Sequence, residues 1–77
     1  MKELNITQKK VLKALSTNTE KWFTFEEINK LGCINNMPNT QRAVAQLRDN
    51  DYLFVTFDNI TNKYLVQISP DGESMVW

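Results

Sequence analysis

Apolar residues along this 77-residue chain recur at two spacings, and the change of spacing divides it. In the first two thirds they fall three and four apart: Val11, Leu12 and Leu15, then Phe25, Ile28 and Leu31, then Ala43, Val44 and Leu47. That is the period of helices with one buried face. After Tyr52 the chain turns β-branched and aromatic, with Leu53-Phe54-Val55-Thr56-Phe57 and Tyr64-Leu65-Val66-Gln67-Ile68 on either side of a polar segment, 58–63. Two strands joined by a turn are expected there. Lys21-Trp22-Phe23-Thr24-Phe25 has room for one brief strand between the first two helices.

Local signals set the boundaries. Thr7 is expected to cap the first helix, with Ile6 and Val11 as a hydrophobic staple. Ser16-Thr17-Asn18-Thr19 ends it in a polar turn. Thr24 and Glu27 have capping-box spacing, and Gly32 suits the helix end that follows. Asn36 or Asn39 caps the third helix, which stops near Asn50-Asp51, residues that tolerate a left-handed backbone. Ser69-Pro70 is a helix start, but too little chain follows for a long dimerisation helix. Met75, Val76 and Trp77 are therefore expected to fold back on the core. Trp22 and Phe23 are expected in that core, and Cys33 as a small buried hydrophobe.

The third helix carries most of the candidate chemistry. Its outward face holds Asn39, Gln41, Arg42, Ala45, Gln46 and Asp49, with Thr40 at its front end. Asn, Thr, Gln and Arg are side chains that read base edges or hold phosphates. Lys9, Lys10 and Lys13 stand on the outward side of the first helix.

Composition narrows the classes. The length is that of one domain, 1–77, with a small core. No apolar run approaches the roughly 20 residues of a membrane span, and no signal-peptide core is present. The lone cysteine makes no internal disulfide and fits a reducing, cytoplasmic setting. Catalysis is not expected. The chain has no histidine, no metal-binding Cys/His cluster and no glycine-rich phosphate loop, so no cofactor is called for. Net charge is zero, but residues 1–48 hold eight Lys/Arg against four Glu, giving +4, and 49–77 hold one Lys against five acids, giving −4. Such asymmetry suits one face that approaches phosphate and another that avoids it.

The order of helix, short strand, two helices and hairpin resembles the winged helix-turn-helix domain, an α+β fold. Residues 43–53, Ala-Val-Ala-Gln-Leu-Arg-Asp-Asn-Asp-Tyr-Leu, look like the recognition-helix exit of small bacterial and phage winged-helix regulators. Ile68-Ser69-Pro70-Asp71-Gly72 is similar to the end of the wing in the multiple-antibiotic-resistance regulators. In that family a glycine usually occupies the place of Asp51. The resemblance implies a sequence-specific double-stranded DNA-binding protein, a small transcriptional regulator with helix 39–50 in the major groove. Asn39, Thr40, Gln41, Arg42 and Gln46 would then face bases and phosphates, with Arg42 on guanine and Gln41 or Gln46 on adenine. Asn62 and Lys63 would lie at the wing tip, and Lys9, Lys10 and Lys13 would meet phosphates. The tip has one lysine where such wings carry several cations. The alternative is a winged-helix protein-interaction module, an adaptor or inhibitor of a transcription, replication or nuclease complex. Monomer and weak homodimer are both open.

Overall fold

In a computed structural model, residues 4–76 are described, so the expected docking of Trp77 lies outside the described residues. Helix α1 spans Ile6–Ser16, α2 Phe25–Gly32, and α3 Met37–Asp49. Strands β1 (Leu53–Asp58) and β2 (Lys63–Ile68) follow, and a single turn of helix, α4 (Pro70–Glu73), comes last.

Helix starts obey short-range hydrogen bonding, with one correction. The cap of α1 is Asn5, not Thr7: the Asn5 side chain accepts from the Gln8 N–H at 2.7 Å, and Gln8 Oε1 accepts from the Asn5 N–H at 2.9 Å. This reciprocal pair satisfies two otherwise orphaned donors. It draws Ile6 into the helix, where it is exposed, so no staple with Val11 forms. Thr24 and Glu27 make the expected box on α2. For α3 the cap is Asn36, accepting from the Asn39 N–H at 3.2 Å.

Helix α2 departs further from expectation. Its left-handed end residue is Cys33 (φ 54°), not Gly32, and Cys33 is exposed rather than buried. Gly32 is instead the last helical residue, where a Cβ would sit 3.4 Å from the Lys10 carbonyl of α1. The inward face of α2 is therefore centred on Ile28, Asn29 and Gly32. Phe25 is half-buried, and Leu31, expected inside, is 50 % exposed at the rim. Trp22 is likewise 38 % exposed, whereas Phe23 is buried as expected.

The aromatic segment before α2 supplies one pair of bonds rather than a strand. Phe23 and Val66 exchange backbone hydrogen bonds of 2.7 and 2.8 Å. β1 and β2 pair antiparallel from Leu53↔Ile68 to Asp58↔Lys63. One hairpin face carries Leu53, Val55, Phe57, Tyr64, Val66 and Ile68; its inner half closes the core. Leu4, Val11, Leu12, Leu15, Phe23, Ile28, Ala43, Val44 and Leu47 complete that core, with Met75 and Val76 packed against it.

The Ser-Pro-Asp-Gly turn clamps the exit of α3 to the end of β2. Ser69 Oγ donates to the Asp51 carbonyl at 2.7 Å and accepts from the Gly72 N–H at 3.1 Å, while the Ser69 N–H donates to the Tyr52 carbonyl. Gly72 is required by this approach: a Cβ there would lie 2.0 Å from the Tyr52 oxygen. Asp51 is left-handed (φ 63°), as its place at the α3 stop demands.

Candidate nucleic-acid interface

Three of the expected reading residues gather in one place. Asn39, Arg42 and Gln46 lie at helical spacing on α3, and with Asn5 and Thr7 at the start of α1 they line a shallow groove of about 160 Å³. Arg42 is exposed and ion-pairs with none of the described residues. Gln46 is tied to α1, its Oε1 accepting from Gln8 Nε2 at 2.8 Å. Gln41 sits on the other flank. With Ala45 and Arg48 it lines a cleft of about 340 Å³ whose far wall is Phe25, Val55 and Tyr64.

Thr40 is a correction. It is 0 % exposed, and its hydroxyl donates to Asn29 Oδ1 of α2. Thr40, Ala43, Val44 and Leu47 follow at i, i+3, i+4 and i+7, which is the inward stripe of α3. Asn29 also approaches Met37 Sδ at 3.5 Å. The Thr40–Asn29 pair thus fixes α2 against the front of α3, and a surface contact from Thr40 is ruled out by burial.

The hairpin tip is ordered by its own side chains. Asp58 accepts from the Ile60 N–H at 3.0 Å and from the Thr61 hydroxyl at 2.8 Å, and Asn62 is left-handed (φ 57°). Those bonds, the Thr61 hydroxyl first, hold the Asp58 carboxyl below the usual carboxylate range. Lys63 is not a free cation: its Nζ lies 3.3 Å from Glu26 Oε2 of α2. The tip also presents an apolar residue, Ile60, which is 93 % exposed. Below it Phe57 and Tyr64 meet edge to face, 5.0 Å between centroids.

Lys9, Lys10 and Lys13 do not join the α3 group. They border a separate apolar groove of about 250 Å³ formed with Leu4, Ile6, Leu12, Met75 and Val76. Asn5, Thr7 and Gln8 beside Gln46, and Arg48 beside Gln41, are not among the residues expected from the sequence. The N-x-x-Q spacing of Asn5 and Gln8 signals the cap, but their approach to α3 is tertiary. Among the described residues no cluster of three metal-ligating side chains forms, and no helix is long and apolar enough to cross a membrane.

Comparison with known proteins bears on the fold. No family model matches the chain, and no curated protein does. Solved structures match nearly its whole length. One is Bordetella bronchiseptica BpsR, whose DNA binding is regulated by 6-hydroxynicotinic acid, with 26% identity, a TM-score of 0.82, and 95% of this chain covered against 54% of that one. Another is a MarR-family transcriptional regulator from Silicibacter pomeroyi, with 15% identity, a TM-score of 0.83, and 92% covered against 46%. A putative DNA-binding protein from Ralstonia eutropha is matched at 16% identity and a TM-score of 0.77, with 95% and 93% covered. The chain thus spans about half the length of the first two. Three packed helices, the Phe23 bridge and the β1–β2 hairpin make this chain a winged helix-turn-helix domain, similar in fold to MarR-family transcriptional regulators.

Proposed function

We propose that this domain binds double-stranded DNA sequence-specifically as a transcriptional regulator, with α3 in the major groove. The observation that carries the proposal is the grouping of Asn39, Arg42 and Gln46 on an exposed face of α3, with Arg42 unpaired among the described residues. The similarity of the fold to BpsR, a DNA-binding protein, supports it. Arg42 would donate both arms to guanine O6 and N7, and Asn39 and Gln41 would contact neighbouring bases or phosphate. The start of α1 borders the same groove, and the partial positive charge of a helix N-terminus favours a phosphate there.

The hairpin has a smaller part. Its tip offers Asn62, an ion-paired Lys63 and an apolar Ile60, which suits contact with the flanking backbone more than charge attraction. Lys9, Lys10 and Lys13 border a different groove and have no part in the central contact. With few cations on the reading face, one domain should bind modestly, and two copies on one site would add their contacts.

Fluorescence anisotropy with random duplex DNA at about 50 and 200 mM salt tests this, with folding checked by circular dichroism. Binding that weakens steeply with salt is expected. No binding to random duplex at low salt, together with no sequence enriched from a randomised library, would overturn the proposal in favour of a protein partner.

A further inference from the structure

The Asn5–Gln8–Gln46 hydrogen bonds carry more information than position. A backbone N–H only donates, so the end of the Gln8 amide that meets the Asn5 N–H at 2.9 Å must be the oxygen. The other end is then Nε2, which only donates, and it meets Gln46 at 2.8 Å. The Gln46 atom facing it must therefore be Oε1. Flipping either amide sets two donors against each other, so neither orientation is free. Gln8 is further held by its own N–H, which donates to Asn5 Oδ1 at 2.7 Å. Gln46 Nε2 is left turned away from α1, and among the described residues nothing accepts from it.

We infer that Gln8 is a positioning residue that sets the polarity of Gln46, so that α3 offers an N–H donor at this position and not a donor–acceptor pair. The inference rests on the reading of α3 as a DNA-reading helix. A glutamine recognises adenine by accepting from N6 while donating to N7. With Oε1 held by Gln8, Gln46 is poorly placed for that pair and selects acceptor-bearing edges: guanine O6/N7 first, then thymine O4 or adenine N7. Only cytosine, whose major-groove edge is an N4 donor alone, would set an amino group against its N–H. The expected adenine contact then falls to Gln41 alone, which stands on the other flank of α3.

Gln8→Glu is the decisive variant. One carboxylate oxygen still accepts from the Asn5 N–H, since Glu serves the capping box as well as Gln. The second oxygen can only accept, so Gln46 must turn Nε2 inward and Oε1 outward. Two readouts separate the inference from the function on which it rests. In the free protein, the Gln46 side-chain amide resonances of Gln8→Glu should titrate with the introduced carboxylate, and those of the unmodified protein should not. Absence of that titration overturns the polarity relay without reference to DNA. In selection from a randomised duplex library, the preference at one base pair should move from guanine towards cytosine by roughly tenfold. Adding Gln46→Ala should abolish the difference between the two forms. DNA binding with an unchanged preference in Gln8→Glu overturns the inference and leaves the proposed function standing. If no duplex is bound by the unmodified protein, the proposed function fails, and the base-reading role of Gln46 fails with it.

Discussion

The exposed face of α3 and the β1–β2 hairpin are the two surfaces a winged helix can bring to a ligand, and here they are built in opposite ways. On α3 the cation is free and the amides are aimed: Arg42 has no ion pair among the described residues, and Gln46 is oriented from α1. On the hairpin the charges are spent internally. Lys63 is paired with Glu26, Asp58 closes its own turn, and apolar Ile60 stands almost fully exposed. On the proposed function, recognition by hydrogen bonding would belong to α3, and the hairpin would contribute shape. One domain can divide these roles because the Ser69–Gly72 clamp fixes the exit of α3 relative to the root of the hairpin.

Breaking that clamp should have the largest effect, since it disturbs both surfaces at once. Gly72→Ala would drive a methyl into the Tyr52 carbonyl, which is backbone and cannot swing aside. A loss of about 3 kcal/mol is expected, the upper end of overpacking costs. In a domain of this size that lowers the melting temperature by roughly 10 °C or more in a thermal scan. A smaller loss, confined to the α3 side, is expected from Thr40→Val. It preserves shape but leaves Asn29 Oδ1 without its donor in a half-buried site, at about 1–3 kcal/mol in urea denaturation. The hairpin amides should keep their chemical shifts.

How far these features are legible in the sequence varies with the range of the interaction. The hairpin follows from its β-branched and aromatic runs, and α2 from the Thr24–Glu27 box, because both signals are local. The Asn5 cap is equally local, yet Thr7 two residues on is as good a capping type, and only the Gln8 reciprocity separates them. Thr40 occupies the same stripe as Ala43, Val44 and Leu47, but its hydroxyl suggests a surface role until Asn29 is seen beside it. Leu31 follows Ile28 at helical spacing, yet the inward face of the eight-residue α2 runs through Ile28 and Gly32 and leaves Leu31 half exposed at the rim. The pairing of Lys63 with Glu26 and of Gln8 with Gln46 joins residues 37 and 38 positions apart, and no periodicity encodes either.

Acid should weaken the start of α2 and the hairpin gently. The Lys21 ammonium on Glu27, with the Thr24 N–H, lowers the Glu27 carboxyl below the usual range, as the Thr61 hydroxyl does for Asp58. A carboxyl with a depressed folded pKa stabilises above its unfolded value and loses that contribution as pH falls through the folded one. Stability is thus expected to be level from neutrality to about pH 5 and to decline below about pH 4. Glu27→Gln, which keeps a capping acceptor, should flatten part of that decline in denaturation curves taken across pH. Both groups are well solvated, so the effect is modest. The smallest change expected is a gain. Cys33→Gly removes a left-handed non-glycine residue and should stabilise by up to about 1 kcal/mol, read as a raised denaturation midpoint.

The division of labour between α3 and the hairpin is tested most directly by titrating duplex DNA with the unmodified domain, Arg42→Ala and Lys63→Ala side by side, at two salt concentrations. Arg42→Ala is expected to lose about 1–3 kcal/mol and to relax sequence preference, the signature of a base contact. Lys63→Ala should weaken every sequence alike, less than fivefold, because its charge is already offset by Glu26. The reverse ranking, with Lys63→Ala costly and Arg42→Ala silent, would contradict the assignment of recognition to α3.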